Sequence, residues 1–210
     1  MPIGAFGDIS MFSLHATKVY HTLEGGALAF KDPGVMENAR LLRNFGIMEE
    51  GDVPEPGINA KMNEVQAATG ILVLQMVGEE IEKRKKITGL YRELLKDLEG
   101  ISAAREIGGV AHNYPYFVIR VEQERFGLSR DGLYEELKKY NIFCRKYFYP
   151  LCSQFSCYNE LESSRPDNLP VAVKAAEQVL SLPLYGGLSQ NDVEKICTVI
   201  RQIKKDKTRI

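Results

Sequence analysis

The stretch FSLHATKVYHTLEGG, residues 12–26, gathers a hydroxyl at Ser13, two histidines at His15 and His21, Lys18, Glu24 and the pair Gly25–Gly26. A lysine becomes a catalyst when burial or nearby charge lowers its pKa, because only the neutral amine attacks a carbonyl. Ser13, five residues before Lys18, is placed to offer a hydroxyl to a phosphate, and paired glycines let a backbone approach a ligand closely. On residue types alone two alternatives stay open. One is a carbonyl-reactive lysine beside a phosphate turn; the other is a solvated lysine on a surface turn. His15 reads as an orienting or packing residue, and His21 has no assigned role.

These residues sit in a chain of 210 residues, enough for one large domain or two small ones. A chain of this size hides roughly 70% of its unfolded surface, so it builds a real core. Charged residues make up 26%, hydrophobic ones 44%, and the net charge is −1 with a pI of about 6.3. No concentrated basic footprint points to nucleic acid. The run Lys83-Arg84-Lys85-Lys86 follows Glu79, Glu80 and Glu82 and reads as a solvated helix face. No apolar run has the roughly 18 residues of a membrane span, and the first residues lack the pattern of a signal peptide, so a cytoplasmic location is expected. The four cysteines, Cys144, Cys152, Cys157 and Cys197, form no CxxC pair, and with three histidines in the chain no metal site is expected. Free or buried thiols are the reading.

The elements that must position this chemistry follow from periodicity. Residues 26–30 (GALAF) form a short strand. Asp32-Pro33 opens a helix that stops at Gly46, and residues 48–58 are a loop rich in Gly, Pro and acids. Residues 63–76 are mostly apolar with small residues and predict a buried helix. After Gly78 the pattern turns amphipathic through Leu98, with Gly100 as the stop. That change of character places a domain boundary near Gly78, with domains 1–78 and 79–210. Further on, a strand over 116–121, a helix over 133–140 capped by Ser129 and a strand over 142–148 are predicted. A helix over 171–180 and a last helix opened by Ser189 and Asp192 complete the set, with a frayed tail from Lys204. The second half is an α+β or α/β pattern.

The segment GDISMFSLHATKVYHTLEGGALAF, residues 7–30, resembles the region around the Schiff-base lysine of the DegT/DnrJ/EryC1/StrS family. These are pyridoxal-phosphate sugar aminotransferases of the aspartate aminotransferase fold, fold type I. The resemblance continues in order through ARLLRNFG, GINAKMNEVQAATGILVL, RKYFYPL and LSLPLYGGLSQNDVEKI, reaching from Gly7 to about Ile200. It implies an α/β fold: the C-terminal portion of the large cofactor-binding domain over 1–78, followed by a smaller α+β domain over 79–210. It also implies that Lys18 forms the internal aldimine with pyridoxal 5′-phosphate and shuttles the substrate proton, and that Ser13 binds the cofactor phosphate. Asn59 would reach the phosphate of a neighbouring subunit's cofactor, hence a homodimer with its active sites at the interface. Tyr147 and Tyr149 fall where the family places substrate-side residues. Without the resemblance, Asn59 reads equally as a turn residue after Gly57. Tyr147 and Tyr149 alternate on the predicted strand, so one face reads equally as core.

The implied reaction moves an amino group, with glutamate as donor, to a nucleotide-linked keto sugar. YFYPL leans toward a dTDP-4-keto-6-deoxyhexose, for deoxyamino-sugar or O-antigen-type biosynthesis. A related dehydratase branch has histidine in place of the lysine, and Lys18 argues against it. Only seventeen residues precede Lys18, whereas the family pattern there includes an aspartate for the pyridine nitrogen, a phosphate turn and a ring-stacking aromatic; Asp8 is too close to be that aspartate. The expectation is therefore a chain matching the C-terminal part of an aminotransferase, with little activity by itself and with exposed sheet edges. The alternative functional reading is a truncated non-catalytic fragment, or one half of a split enzyme. A generic α/β interaction module without cofactor is the third.

Overall fold

The computed structural model describes residues 1–208. The chain divides into two compact units, Met1–Gly78 and the remainder from Glu79 onward.

In the first unit, β1 (Ile9–Ser13) and β2 (Gly26–Phe30) form an antiparallel ribbon with Ile9 opposite Phe30 and Ser13 opposite Gly26. Helix α1 (Pro33–Arg43) starts as the sequence predicts: the Asp32 carboxylate accepts the Gly34 N–H at 2.7 Å, and Pro33 takes the first position, where no N–H is needed. Helix α2 (Glu64–Leu95) opens on a reciprocal cap. Asn63 Oδ1 accepts from Gln66 N–H at 2.9 Å, and Gln66 Oε1 accepts from Asn63 N–H at 3.1 Å.

The second unit is built on β3 (Ile101–Ala103), β4 (Phe117–Val121) and β5 (Val179–Leu182), an antiparallel sheet in the order β3-β4-β5. Helices α3 (Gln123–Phe126), α4 (Arg130–Lys139), α5 (Pro170–Gln178) and α6 (Gln190–Thr208) complete it. Phe117, Ile119 and Val121 alternate inward along β4. They pack with Tyr91 and Leu95 of α2, Leu133 and Leu137 of α4, and Val193, Ile196 and Ile200 of α6. The Tyr91 ring stacks on Phe117 with centroids 4.7 Å apart, and its hydroxyl donates to the Pro183 carbonyl at 3.0 Å, so a buried phenol is satisfied. Arg130 is only 2% exposed. Its Nη1 donates to the carbonyls of Ala176 and Val179, both at 2.9 Å, where α5 gives way to β5.

Four expectations are corrected. Helix α2 runs unbroken past Gly78, because a Cβ there would meet nothing and a helical glycine costs only about 1 kcal/mol. The apolar residues Val65, Ile71, Leu72, Leu74 and Met76 on its first half are exposed, not buried. A two-stranded ribbon and one further helix offer too little surface to enclose an all-apolar helix. Residues 142–148 form no strand. Arg145 alone bridges to Ser181 of β5, and the aromatics beyond it pack ring on ring instead of joining the ladder. Lastly, α6 continues to Thr208, so the tail from Lys204 is helical to that point; the final two residues lie outside the described ones. Among the described residues no helix is long and apolar enough to cross a membrane.

Burial separates the four thiols. Cys144 and Cys197 lie in the second unit's core, where burial pushes each thiol up to about 12, while Cys152 and Cys157 are exposed. Only thiolates react with a disulfide reagent. At pH 8 the folded chain should therefore titrate two thiols quickly with Ellman's reagent, and four after unfolding in guanidinium.

Candidate active site

The lysine lies in the turn joining β1 to β2, and the turn is closed by its own backbone. Leu14 N–H donates to Gly25 O and Thr22 N–H to Leu14 O, both at 2.9 Å, and Lys18 N–H donates to His15 O at 2.9 Å. The buried Thr22 hydroxyl donates to Glu24 O at 2.8 Å. His15 Nδ1 accepts from Thr17 N–H at 3.2 Å and lies 2.8 Å from Thr17 Oγ1, which leaves Nε2 as the N–H facing Glu24 Oε1 at 3.4 Å. His15 thus orients the turn. His21 Nδ1 accepts from Leu23 N–H at 3.4 Å, a local contact within the same turn.

Lys18 itself is half-buried, and its Nζ has no hydrogen-bond or ion-pair partner among the described residues. A lysine held by both flanks yet left without a counter-ion is available to a ligand. The Ser13 hydroxyl, at the end of β1, and the Asn59 carboxamide are likewise exposed and unpartnered among the described residues. An amine, a hydroxyl and an amide are the donor set that a phosphorylated aldehyde requires, so these residues fit pyridoxal phosphate.

Asn59 belongs to a segment that pairs with the end of α1. Asn44 and Asn59 form an antiparallel bridge, with Phe45 N–H donating to Ile58 O and Ala60 N–H to Arg43 O, both at 3.0 Å. Two glycines permit it: a Cβ on Gly57 would lie 2.2 Å from Gly46 N, and one on Gly46, whose φ is +75°, would lie 1.6 Å from Glu55 O. Three residues beyond Asn59, Met62 Cε lies 3.0 Å from where a Cβ on Gly25 would stand, so this segment meets the lysine turn. Helix α2 meets it too: a Cβ on the buried Gly70 would fall 2.8 Å from Thr22 Cγ2. The structure thus brings Ser13, Lys18 and the segment bearing Asn59 into the first unit, whereas Tyr147 and Tyr149 belong to the second.

In the second unit, Tyr147 stacks on Phe148 at 4.6 Å and meets Tyr116 edge-on at 5.0 Å, while Arg145 Nη1 donates to its hydroxyl at 2.5 Å. Tyr149 lies beneath the Arg130 guanidinium at 5.0 Å. Asp131 ties the same corner together, accepting from Arg130 at 2.7 Å and Lys146 at 2.6 Å. The Lys146 hydrogen bond, with Arg130 adding its charge, holds the Asp131 carboxyl below its usual range. Two peptide bonds here, Tyr147–Phe148 and Tyr149–Pro150, are cis. Among the described residues, no cluster of three His, Cys, Asp or Glu side chains could hold a metal ion.

The residues missed from sequence are Glu80 and Arg84. Arg84 is no part of a solvated face: its side chain is 12% exposed, with Nε 2.6 Å from Glu80 Oε1. Its Nη1 donates to the carbonyls of Tyr114, at 3.5 Å, and Pro115, at 3.3 Å. Glu80 Oε1 also accepts from Gly186 N–H at 3.0 Å. The pair therefore anchors two loops, one of which leads into Tyr116. The only signal in the sequence was the i,i+4 spacing, lost among five neighbouring charges.

A family model described as the DegT/DnrJ/EryC1/StrS aminotransferase family matches residues 1–201. The chain belongs to this family. Among DegT/DnrJ/EryC1/StrS relatives, a dTDP-4-amino-4,6-dideoxy-D-glucose transaminase of Shigella dysenteriae is 40% identical over 198 residues, covering 94% of this chain and 53% of that protein. Its counterpart in Escherichia coli is 44% identical over 177 residues, covering 84% of this chain and 47% of that protein. The crystal structure of DesI in the presence of its TDP-sugar product superposes with a TM-score of 0.89 at 32% identity, covering 97% of this chain and 51% of DesI. The chain spans about half the length of the curated relatives it matches. The mixed α/β structure is thus part of the fold type I of DegT/DnrJ/EryC1/StrS aminotransferases, as the resemblance implied.

The ion pair gives a direct test of this arrangement. Arg84→Ala leaves Glu80 and two carbonyls without a guanidinium and should cost about 2 kcal/mol in urea unfolding. Lys85→Ala, one residue along on the exposed side, should change stability by less than about 0.5 kcal/mol.

Proposed function

We propose that this chain carries the lysine-bearing part of a sugar aminotransferase site, in which an amino group passes from glutamate to a nucleotide-linked keto sugar. A dTDP-4-keto-6-deoxyhexose is the acceptor this reading names. What carries it is the unpaired, half-buried Lys18 in its hydrogen-bonded turn, together with relatives that are dTDP-amino-sugar transaminases.

In this reading Lys18 Nζ would hold the aldehyde end of the cofactor, and its amine would take up and return the proton removed from the substrate carbon. The tight turn keeps the amine in one place while the proton moves. Ser13 Oγ donates to the phosphate, aided by the bare backbone at Gly25–Gly26. The exposed carboxamide of Asn59 donates to a phosphate in a neighbouring subunit, which makes the active form a homodimer. When bound, pyridoxal phosphate supplies the electron sink that lets a carbon–hydrogen bond beside nitrogen ionise. Tyr147 and Tyr149 serve the substrate side.

The test is chemical trapping. Incubation with pyridoxal phosphate, then borohydride, should leave a pyridoxyl group on the peptide containing Lys18, read by mass spectrometry. Lys18→Ala should lose the label and reduce transamination at least about 10²- to 10⁴-fold. A label spread over surface lysines and unchanged in the variant would remove Lys18 from the site.

A second reading is favoured by the exposed Val65, Ile71, Leu72, Leu74 and Met76 on α2. In it the chain acts only when a second polypeptide covers that face. Co-expression with a polypeptide supplying the rest of a relative's length should then give a stable complex and raise transamination at least tenfold. No association and no gain would reject it.

A further inference from the structure

The aromatic cluster of the second unit holds one ring that packing does not explain. Phe148 is 65% exposed. Tyr147 covers one of its faces, with centroids 4.6 Å apart and planes 21° from parallel, and Tyr116 meets it edge-on at 6.4 Å and 90°. The ring is therefore held in place from one side and an edge while most of its surface stays in water. Its supports are fixed in turn. Arg84 holds the carbonyls of Tyr114 and Pro115, just before Tyr116, and Arg145 donates to the Tyr147 hydroxyl at 2.5 Å. An aromatic held this way loses little conformational freedom when a flat ligand lands on it.

The charges around the cluster point to the kind of ligand. Lys146 and Arg130 are both committed to Asp131. Arg145 is not: among the described residues its guanidinium has no carboxylate partner, only the Tyr147 hydroxyl and the Tyr147 ring 5.5 Å away. Tyr147 thus carries the exposed Phe148 ring stacked on it and, at its hydroxyl, a guanidinium with no carboxylate partner among the described residues. A planar ring paired with an anion is complementary to both, since guanidinium groups match phosphate oxygens in geometry and charge.

We propose that Phe148 is a stacking platform for the base of a nucleoside diphosphate and that Arg145 receives its diphosphate. This rests on the nucleotide-sugar reading above and assigns residues to the nucleotide half of that substrate. Stacking accepts any base, because every base has a π-face. The platform contributes affinity, and discrimination among nucleotides comes from other contacts.

The sequence contains no tryptophan, which makes the test clean. In Phe148→Trp the sole indole sits on the platform, and titration with dTDP should quench its fluorescence saturably while inorganic pyrophosphate does not. By calorimetry, Phe148→Ala should bind dTDP about 5- to 150-fold more weakly than the unaltered chain, with unchanged circular dichroism. Arg145→Met should weaken dTDP binding more than thymidine binding and flatten its dependence on salt. If Phe148→Ala binds dTDP as well as the unaltered chain, the platform is wrong while the aminotransferase reading stands. If the unaltered chain binds none of dTDP, UDP and GDP at millimolar concentration, the platform and the nucleotide-sugar reading fall together. Trapping at Lys18 then shows separately whether the cofactor assignment survives. Quenching of Phe148→Trp by unrelated peptides but not by dTDP would overturn the platform in favour of a protein contact.

Discussion

A carboxylate drawn partly out of water must be matched by donors, or its desolvation outweighs what it gains. Glu80, 30% exposed, meets this condition twice, through Arg84 and through the Gly186 N–H. Much of the aromatic end of the second unit follows from that match. A Cβ on Gly186 would stand 2.0 Å from the Glu80 carboxylate, so glycine is what lets the loop come close enough to donate. Arg84, oriented by Glu80, uses its remaining donors on the segment that leads into Tyr116 and then β4. One ion pair on one helix therefore sets two loops, and one of those loops carries a ring of the aromatic cluster.

The first unit solves a different problem with similar economy. The turn between β1 and β2 gives Lys18 a fixed backbone and a free side chain. Hydrogen bonds at Leu14, Lys18 and Thr22 use the backbone donors locally, leaving the lysine's own head group uncommitted. Gly70 then lets α2 approach Thr22 closely, so a helix braces the turn from outside. Helix α2 serves both units in this way: its first half meets the lysine turn, and its second half brings Tyr91 to the core and Arg84 to the loops.

What could be read from sequence was what is local. The Asp32 and Ser129 caps concern residues a few positions apart, and both appear in the structure, while α1 ends at Arg43, short of the stop expected at Gly46. The lysine turn is closed by contacts within residues 14–26, so its composition already carried its geometry. Arg84 failed to stand out because its decisive partners lie 30, 31 and, through Glu80, 106 positions away in the chain. The supposed strand over 142–148 failed for a related reason. Its alternating aromatics matched a strand pattern, but their partners are Tyr116, Arg130 and each other. At Gly78 the composition changes and the two compact units divide, while the α2 backbone continues through it.

The contact between Gly46 and Gly57 makes the first unit unequally tolerant of change. Neither position accepts a side chain without forcing backbone from backbone. The ten residues between them are mostly exposed, and the entropy of closing a loop rises only slowly with its length. Among descendants of this sequence, the stretch from 47 to 56 is free to drift in composition and to gain or lose residues. The two glycines that bound it are not, because they set the alignment that presents Asn59.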